Sequence, residues 1–497
     1  MKTSVKVAVG VVIAVAALSS AGAWYTGTQL EGVLHTAIDD ANRQIKSSLN
    51  GFDGSITLEL VSLDRHVFNS TAHYRVTIKS AKLGKGNENL ELLFVDNVEH
   101  GPLPWSRLKT LNLVPVMAAS NYQIEKNAVT EKWFAMTNGA APLKGHTNIG
   151  YDRSTNGTLE LLPLNIESAN GAFKFSGVNL GVQASANAEK IRVVGALEDL
   201  QAKVPSEQGL ISFAVHNLSF NTGGTKGASG FYLGHSDFKI AKSDFQVADK
   251  PPVSLKDFVN TSLVQEEGGN LSAQVSYDID MINYGGKDIG AAQMLWKLSN
   301  FDVASTQSLY TIYQQKVQPQ QQAAALAGQP LKLQLSDADQ AQINAGLAKM
   351  LAAKPHIELE KLSLKTANGE SHFSVAMDLN NPGALDQPLP DVVNKMLTQL
   401  DAKLLVSKPM VKDLATQVAS VEGQTDPKVI EQQAQGASET VGALAVISQL
   451  ATVEGDNVVS NLHYANGIAD FNGQKMTGIQ FVSLVAGKFS EMTGAGQ

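Results

Sequence analysis

The chain has 497 residues, 43% apolar and 17% charged, with a formal net charge of −8 and no cysteine. That is globular material with length enough for several domains and a core held by packing alone. Disulfides, thiol chemistry and zinc–thiolate or iron–sulfur sites are excluded. The acidic balance, with no basic run, leaves no electrostatic footprint for phosphate backbones, so nucleic acid is excluded as a main partner.

Val7 to Leu30 carries no charge, and its first part is built mostly of Val, Ile, Leu and Ala. About 20 such residues cross a bilayer as a helix. Val7, Val11, Ile13 and Leu18 supply the apolar body, and Trp24 and Tyr25 fall at headgroup depth. Lys2 and Lys6 precede the stretch, while acidic Glu31, Asp39 and Asp40 follow it. The positive-inside bias therefore keeps the N-terminus in the cytoplasm and exports the rest. A cleaved signal peptide is the rival reading, with Ala21 and Ala23 as the peptidase pattern. Both readings place the body outside the cytoplasm.

Leu30, Val33, Leu34, Ala37, Ile38, Ala41, Ile45 and Leu49 recur at helical spacing, opposite Glu31, Asp39, Asp40, Arg43 and Lys46. This predicts an amphipathic helix packed on the body, a stalk or self-association seam being the alternative, with Asn50-Gly51 as its stop. Two-residue alternation then dominates. Ile56, Leu58 and Leu60 share one face; so do Ala72, Tyr74, Val76 and Ile78, and, most regularly, Leu271 through Met281 at odd positions. Such runs are strands with one dry and one wet side. Asn-Gly pairs at Asn138, Asn156, Asn170, Asn368, Asn466 and Asn472 punctuate them, with Gly223-Gly224 and Gly285-Gly286 as further turn candidates. Asn156-Gly157 is expected to turn between Ile149/Tyr151 and Leu159/Leu161, and Asn368-Gly369 between Leu362/Leu364 and Phe373/Val375. The pattern is an antiparallel meander.

Apolar parity changes within three runs: Ile211/Phe213/Val215 to Leu218/Phe220, Phe238/Ile240 to Phe245/Val247, and Ile357/Leu359 to Leu362/Leu364. Either a bulge absorbs each change and curves the sheet around an apolar concave side, or two short strands meet at a kink. Helical patterns return after Thr306. Gln314–Gln322 reads as a helix end or linker. Ser336 caps a helix ending at Pro355, Asp391–Leu400 is a short helix, and Pro409 and Asp426-Pro427 open two more. The chain closes with a hairpin across Asn466-Gly467 and a short helix around Phe481–Leu484.

The fold class is thus α+β: a curved, mostly antiparallel β-meander with a helical module in the C-terminal third, preceded by one N-terminal transmembrane helix. The expected divisions are residues 1–29 as anchor or signal peptide, 30–50 as connecting helix, and 51–304 as β-rich region. Residues 305–455 are mainly helical with a hairpin near 356–380, and 456–497 form a terminal hairpin and tail.

The search for chemistry is brief. The ten histidines make no H-x-H, H-x-x-x-H or H-E-x-x-H pattern. No G-x-S-x-G occurs, and Ser106-Arg107-Leu108-Lys109 matches S-x-x-K without its companions, so it reads as a loop or helix start. Glu266 and Glu267 ahead of Gly268-Gly269 are solvated turn residues. No cofactor is implied. His100-Gly101-Pro102, followed by Leu103-Pro104, is the local feature with character: a rigid turn whose histidine is either functional or satisfied by backbone contacts.

Gly22-Ala23-Trp24-Tyr25-Thr26-Gly27, Glu99-His100-Gly101-Pro102-Leu103-Pro104, Leu108 to Pro115, Tyr464-Ala465-Asn466-Gly467 and Asn472-Gly473-Gln474-Lys475-Met476 together resemble the YdgA-like proteins of Gram-negative bacteria. The resemblance spans nearly the whole chain. It implies a family of unknown function at the inner membrane and its periplasmic side, as a homodimer, with no catalytic residues to carry over. The expectation is a non-enzymatic, single-pass inner-membrane protein with its bulk in the periplasm. Besides the bilayer, its partner is a lipid or protein segment on the curved sheet. A dimeric envelope scaffold, or a hydrolase whose site assembles only in the fold, are the alternatives.

Overall fold

A computed structural model of the chain describes residues 30–48, 54–79, 89–168, 171–206, 209–228, 230–327, 329–383 and 389–493. Val7, Val11, Ile13, Leu18, Trp24 and Tyr25, and the Asn50-Gly51 stop, lie outside them. Among the described residues no helix is long and apolar enough to cross a membrane. The chain divides into two compact units. One takes residues 1–201, 219–232 and 311–335; the other takes 202–218, 233–310 and 336–497.

The first unit begins with α1 (Leu30–Ser48), the amphipathic helix of the sequence. It is followed by β1 (Ser55–Arg65), β2 (Asn69–Lys79), β3 (Asn89–His100), α2 (Trp105–Lys109), β4 (Ala118–Ile124), α3 (Glu131–Met136), β5 (Leu143–Ile149) and β6 (Thr155–Leu161). A β7–β8 hairpin (Leu164–Ser168, Gly171–Phe175) interrupts the meander before β9 (Val178–Ala184) pairs with β6 and then with β10 (Lys190–Ser206). Every pairing in this series is antiparallel. Leu34, Ile38, Ala41 and Ile45 of α1 close over Ile56, Leu58, Tyr74, Val76, Ile78 and Phe94 in one sealed core. Each such aliphatic burial stabilises by about 1.5–3 kcal/mol. Asn42 fixes the helix to the strand: its amide donates to the Leu58 carbonyl at 2.9 Å and its oxygen accepts from the Leu58 N–H at 2.8 Å.

The second unit takes part of β11 (Gly209–Lys226), then β12 (Tyr232–Val247), β13 (Val253–Glu267), β14 (Asn270–Tyr284) and β15 (Lys287–Asp302), a meander of long strands. After β15 comes α4 (Val303–Ile312); the chain then returns to the first unit with a π-helical turn over Tyr313–Val317 and α5 (Gln318–Ala327), before the second unit resumes at Ser336. The glutamine-rich stretch is therefore helical throughout, with Pro319 just after the π-helical turn, an irregularity of the kind that accompanies proline inside a helix. α6 (Asp337–Ala352) starts on a Ser336/Asp339 capping box. β16 (His356–Lys365) and β17 (Glu370–Leu379) then rejoin the sheet. α7 (Leu389–Met396) ends four residues before the expected Leu400, because Leu397 opens β18 (Leu397–Ser407), a strand whose pairing with β17 outweighs helical spacing. α8 (Lys408–Val421) and α9 (Pro427–Ser448) start on Ser407 and Asp426 caps. β19 (Thr452–Glu454), β20 (Asn457–Ala465), β21 (Ile468–Phe471) and β22 (Gln474–Thr477) complete the sheet, and α10 (Gly478–Thr493) is a full helix in place of the short one expected.

Turn chemistry decides several details. Asn466-Gly467 (φ 52° and 80°), Asn472-Gly473 and Gly285-Gly286 turn as expected, and Asn368-Gly369 closes β16 onto β17. Asn156-Gly157 does not turn: the chain reverses over Gly150–Ser154, and Gly157 lies inside β6. A side chain at 157 would meet the Thr147 hydroxyl, so the glycine serves a close approach. Gly223-Gly224 likewise lies inside β11, where a Cβ on Gly223 would crowd the Ile191 carbonyl. Asn138-Gly139 ends α3 in left-handed geometry.

Candidate functional site

His100 is the last residue of β3, and its Nε2 lies 2.9 Å from the Ser70 hydroxyl. The ring's described partner is thus a side chain, while the His100 backbone N–H donates to the Phe68 carbonyl at 2.8 Å. Burial lowers its pKa. Gly101 adopts φ 94°, which glycine alone takes without strain, and the Pro102 carbonyl accepts from the Val116 N–H at 3.0 Å. The segment behind them is built around a buried arginine: Arg107 donates to Asn112 Oδ1 at 2.7 Å and to the Val114 carbonyl at 2.8 Å. Glu99 accepts from both the N–H and the hydroxyl of Ser106. Ser70 has the hydroxyl of a nucleophile, but it is fully buried, and among the described residues no acid bonds His100 to orient it as a general base.

A second buried polar group sits on the core face of β3. Asp96 follows the parity of Leu92, Phe94 and Val98, so it is completely buried. It stands opposite Ala72 and Tyr122, and one oxygen accepts from Ser120 at 2.8 Å. Its other oxygen, the Tyr74 hydroxyl and the Thr147 hydroxyl have no hydrogen-bond partner among the described residues. Burial pushes the Asp96 carboxyl up to about 7 against the lowering effect of the Ser120 and Asn121 bonds. Burial, then the Asp96 charge, raises the Tyr74 phenol. The sequence signal was present, an aspartate at an apolar parity position, but it was hidden inside the run Leu92 to Val98. Among the described residues no three His, Asp or Glu side chains converge as metal ligands.

The larger feature is a sheet face in the second unit. Strand register aligns its apolar residues in transverse rows. One row runs Phe238, Asn260, Tyr277, Met294, Leu362, Phe373, Leu404 from β12 to β18. The next begins Ser236, Ser262, Val275, Trp296, Leu359, Val375, Ala402 and reaches Leu462 and Phe471 on β20 and β21. A third runs Val264, Ala273, Leu298, Ile357, Met377, Leu400, Tyr464. The parity change at Leu359/Leu362 is a bulge that keeps both leucines on this face. The change in β11 coincides with Asn217 at φ 50°.

The reverse side is polar: His356 and Asp378 approach to 2.7 Å, as do His463 and Asp401, and Lys361 pairs with Glu370 at 2.9 Å. Helices do not seal the apolar side evenly. α7 and α10 cover its β20–β21 end, where Phe481 meets Phe471 edge-on at 5.2 Å and Tyr464 reaches Asn394. Tyr464, Ala469 and Phe471 are buried there. α8 lies across strand tips: Asp413 accepts from Thr366 at 2.6 Å and from Asn368, and Val421 packs on Gly285. From β12 to β17, Phe238, Phe258, Tyr277, Met294, Trp296 and Phe373 remain half-buried, and Leu362 is 45% exposed. Partly exposed apolar rows of this extent form a larger patch than scattered surface residues do.

The fold is thus an α+β one of mostly antiparallel strands, with one apolar sheet side that helices cover only in part. The chain belongs to the family described as bacterial protein of unknown function, DUF945, whose profile matches residues 1–478. It is 28% identical to Protein YdgA of Escherichia coli (strain K12) over 97% of this chain and 96% of the relative. It is 24% identical to the uncharacterized protein YihF of the same organism, over 97% and 99%. An uncharacterized protein of Haemophilus influenzae is 29% identical over 38% of this chain and 50% of its own length. None of these names states an enzymatic activity, and no solved structure matches the chain.

Proposed function

We propose that the protein is a non-enzymatic envelope protein, held in the bacterial inner membrane by Val7–Tyr25 with its bulk in the periplasm, that binds the acyl chains of a lipid on the open apolar side of its second unit. The observation carrying this reading is the partly exposed row Phe238, Tyr277, Met294, Leu362 and Phe373, interrupted by Asn260, on strands whose reverse side holds ion pairs. Flexible methionine and the edge-on and tilted aromatic rings of Phe238, Phe258 and Tyr277 suit a chain of variable conformation better than one rigid ligand. Bulges in the sheet would give that side the concave curvature an acyl chain needs.

A photoreactive residue placed at Leu362 or Phe373 in the full chain, and irradiated in cells, tests it. Lipid adducts from those positions, and none from Lys361 or Lys403 on the polar side, are expected. Protein adducts in place of lipid would transfer the reading to a partner strand, and no adduct would end it.

A second reading, a dimeric scaffold, draws on α9, where Leu444, Val446 and Ile447 stand exposed in one turn. Ile447→Glu converting a dimer to a monomer in light scattering would support it.

A further inference from the structure

Large apolar side chains gather at one end of the first unit's sheet. The β1–β2 turn carries Val67 and Phe68, 85% and 80% exposed, and the segment after β3 carries Trp105, Leu111, Leu113 and Val114, with Leu111 84% exposed. Backbone bonds tie these turns together. The His100 N–H donates to the Phe68 carbonyl at 2.8 Å, Gly101 to Met117 at 3.2 Å, and Met117 to Ile149 at 2.7 Å. The buried Arg107 holds the loop from below through Asn112 and the Val114 carbonyl. Leu111 itself sits at φ 56°, which costs a leucine about 1 kcal/mol or more. A loop held this firmly while presenting so much apolar surface is not loose chain. Lys109 stands 5.7 Å over the Trp105 ring, the aromatic-plus-cation pairing favoured at headgroup depth.

The direction of α1 brings the start of the chain to the same end. Asn42 is pinned beside Leu58, the fourth residue of β1. With α1 antiparallel to β1, Leu34 and Ile38 cover the Tyr74 and Ala72 rows, which are fully buried. Run the other way, Leu34 would stand about 12 Å past Leu58 toward a strand start only about 10 Å away, and would leave the sheet. Leu34 is fully buried, so Leu30 faces the Arg65 end. The first described residue, Leu30, is therefore at the sheet end that carries the β1–β2 turn.

We propose that these loop tips are a membrane-contact surface, dipping Phe68, Trp105 and Leu111 into the phospholipid headgroup region and seating the first unit on the bilayer. The inference rests on the anchoring reading above and adds which end of the body meets the lipid.

The chain has no cysteine, so single cysteines can be introduced cleanly. The full chain is labelled with an environment-sensitive fluorophore at Phe68→Cys, Leu111→Cys or, as the control, Val129→Cys. It is then reconstituted in phosphatidylethanolamine–phosphatidylglycerol vesicles containing doxyl-labelled phospholipid. Val129 is exposed at the opposite sheet end, near the Asn127–Glu91 bond. The expected result is a blue shift and strong quenching at 68 and 111 with neither at 129, and loss of quenching at 68 when Leu111→Glu and Leu113→Glu are added. Vesicles that float with the protein but leave 68 and 111 unquenched overturn the proposal while sparing the anchor. Failure of the full chain to float overturns both.

Discussion

Asp96 and Ser120 face each other across β3 and β4 in the sealed core of the first unit, the hydroxyl donating to the carboxyl at 2.8 Å, and nothing among the described residues bonds the second carboxyl oxygen. Burial raises the native pKa from the ordinary carboxylate range to about 7, so the folded chain holds a proton that the unfolded chain has released.

The sign follows from linkage. Between pH 4 and 7 the native state binds more protons at this site than the unfolded state, so stability falls as pH rises and levels off above about 7. His100 and His146, whose pKa values burial lowers, contribute the opposite slope below their unfolded value. Comparing Asp96→Asn with the parent chain isolates the aspartate. The variant is expected to match the parent near pH 4 and to be more stable by a few kcal/mol at pH 8 in denaturant titrations. Equal pH profiles would show that the carboxylate is compensated when charged.

Two glycines should respond in opposite directions. Gly290, at φ 152°, would place a Cβ against the Lys365 carbonyl, so Gly290→Ala is expected to cost about 2 kcal/mol or more. Gly436 lies within α9 with nothing within 4 Å of a built Cβ. Gly436→Ala should stabilise by about 0.5–1 kcal/mol through helix propensity and a less free unfolded chain. Chemical unfolding midpoints measure both.

Most of the architecture was legible because alternation and turn chemistry agreed. Leu271 through Met281 alternate, and Gly285-Gly286 turns. It failed where a long-range contact chose the backbone. Gly157 and Gly223 are strand glycines because Thr147 and Ile191 approach them from neighbouring strands, which no local pattern records. Leu397 to Leu400 keeps helical spacing yet pairs with β17. Of the site, the apolar parity of Phe373, Val375 and Met377 was readable. That this side stays half-open from β12 to β17 depends on where α7, α8 and α10 pack, and their own sequences do not say.

Asp413 supports the β16–β17 turn from α8 by accepting from the Thr366 hydroxyl and from both the N–H and side-chain amide of Asn368. Burial opposes its charge, but these bonds win and hold its pKa below the usual value. An acid with a lowered native pKa stabilises at neutral pH, and that contribution fades as pH falls through the native value. Asp413→Ala should cost about 1–2 kcal/mol at pH 7 and progressively less below pH 4. A cost independent of pH would assign it to packing alone.

The openness of the apolar side separates two substitutions that look alike in sequence. Met294 and Phe471 both lie on it, but Phe471 is buried beneath Phe481 of α10 while Met294 stays half-exposed among Tyr277 and Leu362. Phe471→Ala should cost about 3 kcal/mol or more, the price of a large core cavity. Met294→Gln removes little burial and should cost about 1 kcal/mol or less. The two should rank oppositely when lipid is measured. Met294→Gln, together with Leu362→Gln beside it, is expected to purify from membranes with less bound lipid at nearly parental stability. A large stability loss from Met294→Gln would mean that the side is sealed in solution, and it would remove the surface on which the lipid reading depends.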